Sequence, residues 1–174
     1  SDLHLQAPDA TFEAWRRHLL STDADAVFLL GDLFEAWVGD DAALGGGPDG
    51  GPGLDTRPGF AADCARVLRQ AAARRPLFLM HGNRDFLVGE PLAQACGFTL
   101  LADPTVLLFA GRRWLLTHGD ALCLDDTDYL KFREQVRSPQ WMAAFLARPL
   151  AEREALARQL RDASQARHAS CEPY

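Results

Sequence analysis

"LFLMHGNRDF" occupies Leu77 to Phe86, an apolar run that ends in a histidine, a glycine, an asparagine, an arginine and an aspartate. Short apolar runs bounded by turn residues read as buried strands. Two other segments share the plan: "DAVFLLGD" at Asp25 to Asp32 and "RRWLLTHGD" at Arg112 to Asp120. Between the first strand and the central one, "FAADCARVLRQAAARR" at Phe60 to Arg75 has helical spacing. Upstream, Thr11 to Leu20 predicts a first helix with Phe12, Trp15, Leu19 and Leu20 on one face. Strands that alternate with helices predict an α/β sheet.

In an open α/β sheet the carboxyl ends of the strands face one crevice, so polar residues placed just after several strands converge there. The central run delivers Asn83 and Arg84 to an edge where the other two deliver Asp32 and His118. The opening "SDLHL" adds Asp2 and His4, two positions apart, which point the same way if the segment is extended. Together Asp2, His4, Asp32, Asn83 and His118 form a set of oxygen and imidazole ligands without thiolate, suited to Mn²⁺, Fe²⁺ or Zn²⁺. Facing carboxylates repel, and divalent cations remove that cost while activating water near neutral pH. Taken singly, each residue has a plainer reading: an exposed terminal pair, a turn or helix cap at Asp32, a turn residue at Asn83, a hydrogen-bonded buried histidine at His118. Their conjunction in chain order points to a dinuclear hydrolytic site. His81 is assigned a structural role.

The surrounding composition fits one domain. With 174 residues, 48% apolar and 24% charged, the chain has the balance of a globular protein. The longest apolar stretches, such as Val106 to Ala110, are too short to cross a bilayer. Cysteines at 64, 96, 123 and 171 form no CxxC pair, so reduced thiols in a cytosol are expected. The net charge of −6 argues against nucleic acid as a partner. It is uneven: residues 1–130 hold 10 basic and 19 acidic side chains, residues 131–174 hold 8 and 5. "LGGGPDGGPGLDTRPG", Leu44 to Gly59, predicts a surface loop and carries no assigned chemistry.

The blocks "SDLHL", "GDLFE", "HGNRD" and "THGD" resemble, in order, those of the calcineurin-like metallophosphoesterases. More narrowly, "GDLFEAWVGDD", "HGNRDFLVG" and "THGDALCLDD" resemble the UDP-2,3-diacylglucosamine diphosphatase branch of lipid A synthesis. The resemblance implies a four-layer α/β sandwich, two sheets flanked by helices, with a helical cap over residues 129–168. It implies two Mn²⁺ ions, the first held by Asp2 and His4, both bridged by Asp32, the second held by Asn83 and His118. Arg84 stands where most of the superfamily has a histidine. A guanidinium cannot donate a proton at neutral pH, but it can grip two phosphate oxygens.

The resemblance further implies Asn83 and Arg84 as catalytic and substrate-binding residues, and Asp126, Ser164 and His168 as contacts to the substrate head group. The substrate would be a UDP-linked, doubly acylated glucosamine, cleaved at its pyrophosphate. In the cap, Trp141, Phe145, Leu146, Leu150, Leu156 and Leu160 lie beside Arg148, Arg153 and Arg161. This is expected to be either an amphipathic helix packed on the core or an acyl-binding lid with peripheral contact to the inner face of the bacterial inner membrane. Cys171 stands where such proteins often carry a lysine. The chain opens inside the first motif and reaches Tyr174 before any G-H-x-H block, which suggests one domain truncated at both ends. The alternatives are another nucleotide-sugar pyrophosphatase or phosphodiesterase of the superfamily, or a non-catalytic interaction module.

Overall fold

The computed structural model describes residues 2–45 and 59–170, with side chains as far as Arg161. Strands β1 (Val27–Leu30), β2 (Leu77–Met80) and β3 (Thr99–Leu101) form a parallel sheet in the order β1-β2-β3. Val27 lies opposite Leu77, and Phe78 opposite Thr99. Parallel neighbours require crossovers, and helices supply them: α3 (Phe60–Ala72) after β1 and α4 (Glu90–Cys96) after β2.

Helix α1 (Ala10–Ser21) begins where the Asp9 carboxylate accepts the Phe12 N–H at 3.0 Å, which satisfies one of the free donors of its first turn. It buries Phe12, Trp15 and Leu19, as the spacing predicts. Helix α3 buries Cys64, Leu68 and Ala71 along one stripe. Asp40, just before the short α2 (Asp41–Leu44), caps α4 from a distance: it accepts from Gly89 N at 3.1 Å and Leu92 N at 2.9 Å. These contacts close a core around Leu29, Leu77, Leu79 and Leu92.

The chain is therefore α/β, with parallel and antiparallel sheets both present. The third apolar run corrects the sequence reading. Arg112–Leu116 is strand β5, but it pairs antiparallel with β4 (Thr105–Phe109) in a separate sheet. It is not a buried strand: Leu108, Phe109 and Leu115 are well exposed among the described residues. The apolar run matched the pattern of a central strand, yet no helix crossover joins it to the parallel sheet. The predicted loop from Leu44 to Gly59 lies mostly outside the described residues.

The basic segment folds as α5 (Thr127–Val136), α6 (Pro139–Leu146) and α7 (Leu150–Ser170). Asp126 and Ser138 cap the first two through their side chains. Phe145 and Val136 are buried, and Trp141, Leu150 and Leu156 pack on the core. Arg153 departs from the expected basic face. It is 2% exposed, because its guanidinium turns inward to pair with Asp41 and the Val38 carbonyl and to donate to Arg148 O at 3.0 Å. A buried guanidinium needs such partners.

Candidate metal centre

The site is assembled by four stretches of backbone, the fourth being the end of β5 that carries His118. Asp2 to Leu5 runs beside the turn that follows β1: Leu3 N donates to Asp32 O at 2.9 Å, Leu5 N to Leu33 O at 2.9 Å, and Glu35 N returns to Leu5 O at 3.0 Å. The third stretch, the turn after β2, is joined to the second by one carboxylate. Asp85, fully buried, accepts Leu33 N at 2.8 Å and Gly82 N at 2.7 Å. The two strand tips are thereby held together by charge-assisted bonds.

Asp2, Asp32 and His118 bring one ligand atom each within 4.8 Å of one another. His4 adds Nε2 at 3.8 Å from Asp32 Oδ2, and Asn83 Oδ1 lies 3.1 Å from His118 Nε2. The five predicted ligands thus converge. They do so by a different route from the predicted extended segment, since Asp2 and His4 both have φ of 49°. Asp32 has φ of 50°. Non-glycine residues avoid this left-handed region at a cost of about 1–3 kcal/mol each. Among the described non-glycine residues only Ala110, in the turn of the hairpin, shares it. Backbone strain is concentrated on the proposed ligands.

The donors fit a cation. His118 Nδ1 lies 3.2 Å from the Leu30 carbonyl, and Nε2 faces Asn83 Oδ1 and, at 3.6 Å, Asp32 Oδ1. A neutral imidazole has one N–H. If Nδ1 donates to Leu30, the Nε2 lone pair meets two oxygens, an arrangement that a cation resolves. Burial pushes the Asp32 carboxyl up, against the Arg84 N–H and the charge of His118 that pull it down. A bound cation would offset that desolvation.

Several participants escaped sequence reasoning. Glu35 lies 3.3 Å from His4 Nδ1 and 3.5 Å from Arg84 Nη1; it stands three residues after Asp32, and only that spacing could have pointed to it. Asp85 closes the same "HGNRD" block that supplied Asn83. Gly31 and Gly82 also went unread, although glycines just after strands signal close backbone approach. His81 is structural as expected, its Nε2 2.7 Å from Val88 O.

A cavity of about 510 Å³ opens over the centre. Asp2, Asn83, Arg84 and His118 line it together with Phe132, Val136, Trp141, Phe145 and Leu160. Arg84 reaches it with its Nε buried and unpartnered. Asp126 lies on the cavity wall, its carboxylate accepting Tyr129 N at 2.9 Å. Ser164 and His168 fall within α7, and their side chains lie outside the described residues.

No family model matches the chain. Curated relatives do. A protein of Xanthomonas axonopodis pv. citri, named UDP-2,3-diacylglucosamine hydrolase, is 48% identical over 174 residues, which cover 97% of this chain and 64% of that protein. Proteins of the same name from Cellvibrio japonicus and Chromobacterium violaceum are 47% and 45% identical, each match covering 95% of this chain and 65% of the relative. The chain is a homologue of the UDP-2,3-diacylglucosamine hydrolases along nearly its whole length and spans about 64% of theirs.

Proposed function

We propose that this chain carries the catalytic face of a metal-dependent hydrolase that cleaves the pyrophosphate of UDP-2,3-diacylglucosamine, giving UMP and 2,3-diacylglucosamine 1-phosphate for lipid A. The observation that carries the reading is the cavity that polar and apolar side chains line together. Asp2 and His118 of the carboxylate and imidazole cluster line the same cavity as an aromatic and aliphatic set of side chains. Few ligands combine a pyrophosphate with long apolar chains, and the relatives' name describes one that does.

Asp2 and His4 would hold one Mn²⁺, Asn83 and His118 a second, with Asp32 between them. Bound there, the ions would supply Lewis acidity toward the pyrophosphate oxygens and acidify water. Arg84 has donors to spare: its Nη1 reaches Glu35 only at 3.5 Å and its Nε has no partner. The planar fork would grip the phosphate oxygens and stabilise charge gathering on phosphorus. A sugar-1-phosphate leaving group needs little protonation, so an arginine here in place of a histidine costs little. Asp126, Ser164 and His168 would meet the head group.

No helix among the described residues is long and apolar enough to cross a membrane. Phe132, Leu146 and Leu160 are exposed beside exposed Lys131, Arg148 and Arg158, a mixture that favours shallow contact with an anionic lipid surface. A peripheral position on the cytoplasmic face of the inner membrane follows, with lipid as partner and no nucleic acid.

The test is UMP release by the intact protein with Mn²⁺, using acylated and N-acetyl-only UDP-glucosamine, beside Asp32→Asn. Strong preference for the acylated form is expected, since each buried methylene contributes roughly 0.8 kcal/mol. Equal turnover of both would favour a general nucleotide-sugar pyrophosphatase. Activity of Asp32→Asn within tenfold of the parent would remove Asp32 from its bridging role.

A further inference from the structure

Asn83 and His118 reach the centre from different sheets, one from the turn after β2 and the other from the end of β5, and among the described residues no strand pairing joins those sheets. Something else must set the distance between them. Directly, the two loops touch through the Asn83 and His118 side chains at 3.1 Å, a contact that metal binding would replace. Behind it lies a second connection. Arg137 Nη2, at the C-cap of α5, donates to Gly82 O at 2.8 Å and to Asp120 Oδ2 at 3.4 Å. Gly82 immediately precedes Asn83, and Asp120 follows His118 by two residues. One guanidinium terminus therefore spans both ligand loops.

Its partner is held from every side. Asp120 is 9% exposed and accepts from Tyr129 Oη at 2.6 Å and Arg133 Nε at 2.8 Å as well. Arg137 in turn lies over the Phe86 ring, 5.7 Å from its centroid. One arginine would neutralise Asp120 and dock α5. A second beside it adds a positive charge near a site built for cations, which electrostatics disfavours. Its contact with Gly82 O is what the first arginine does not make.

We propose that Arg137 and Asp120 are positioning residues that hold the Asn83 and His118 loops at metal-binding separation and so tie the docking of α5 to the affinity of the centre. The inference rests on the metal-site reading above. Residues that orient ligands from behind typically change metal affinity by about 10–100-fold when lost. The converse also holds: a ligand that orders α5 tightens metal binding by the factor with which metal tightens the ligand.

The experiment compares the intact protein with Arg137→Met, Asp120→Asn and, as a control for general loosening of the cap, Arg153→Met. Two quantities are read: Mn²⁺ affinity by calorimetry, and the ¹⁵N shifts of the His118 ring in metal-free protein. Arg137→Met and Asp120→Asn are expected to weaken Mn²⁺ about tenfold or more and to move the His118 signals, while Arg153→Met lowers the melting temperature and leaves both in place. Unchanged affinity and unchanged shifts in Arg137→Met would overturn the proposal with the metal centre intact. Equal changes in Arg153→Met would overturn it in favour of general loosening. A parent that binds no Mn²⁺, with His118 signals that still move in Arg137→Met, would instead sink the metal reading and leave the positioning role standing.

Discussion

Gly82 leaves room for the Asp32 carboxylate: a Cβ on Gly82 would fall 2.0 Å from Asp32 Oδ1, inside any tolerable contact. Gly31 does the same for His118, with a Cβ 2.3 Å from Nδ1 at a φ of 76° that already favours glycine. Two proposed ligands thus rest against bare backbone.

Gly82→Ala and Gly31→Ala are accordingly expected to displace Asp32 and the His118 ring. A shift near 1 Å costs on the order of a hundredfold in rate. Turnover and Mn²⁺ content of the purified variants check this, and an alanine at either position with full metal loading and full rate would show that the neighbouring loop simply moves aside.

Arg84→Lys keeps the charge but loses the fork. Because the guanidinium has an unpartnered Nε and only a long contact to Glu35, little structure depends on it. The variant should melt within a degree or two of the parent and lose at least tenfold in kcat. Undiminished kcat in the lysine form would mean that position 84 supplies only positive charge.

Much of this is legible in the sequence. The runs at Val27 and Leu77 had the short apolar form of parallel strands, and the polar residues after them met because strand tips in such a sheet share an edge. His118 arrived beside them from an unexpected sheet. An apolar run reveals that a strand forms and says nothing of its neighbours. The contacts across long sequence separations, Asp85 to Leu33 or Arg153 to Asp41, had no local signature. Positive φ at Asp2, His4 and Asp32 was equally hidden, because aspartate and histidine only tolerate the left-handed region and do not announce it.

Arg153→Met should destabilise the protein without touching the centre. It removes a buried guanidinium with partners on Asp41, Val38 and Arg148. Losing one side of a buried pair costs about 3 kcal/mol, the lower end of the usual range because Asp41 stays a third exposed. Urea midpoints for the parent and variant measure it; coincident midpoints would mean that water replaces the guanidinium without loss.

Thiol chemistry offers an independent check on burial. Burial pushes the Cys96 thiol up to about 12 and that of Cys64 higher still, whereas Cys123 is exposed. Raised values suppress the thiolate, the reactive form, so at pH 8 Cys96 holds about one part in ten thousand ionised. Alkylation at pH 8 followed by peptide mapping should label Cys123 and spare Cys64 and Cys96 until denaturant is added. Early modification of Cys64 would mean that α3 opens far more readily than its packing suggests.

The Asp85 carboxylate has a quieter consequence. Since one planar group receives both Leu33 N–H and Gly82 N–H, the gap between the Asp32 turn and the Asn83 turn is measured by a side chain of fixed width and not by the twist of the sheet beneath. Strands may flex and helices breathe while the two turns keep step, like rails pinned to one sleeper. The spacing of the ligands is thus insulated from the softness of the scaffold that carries them.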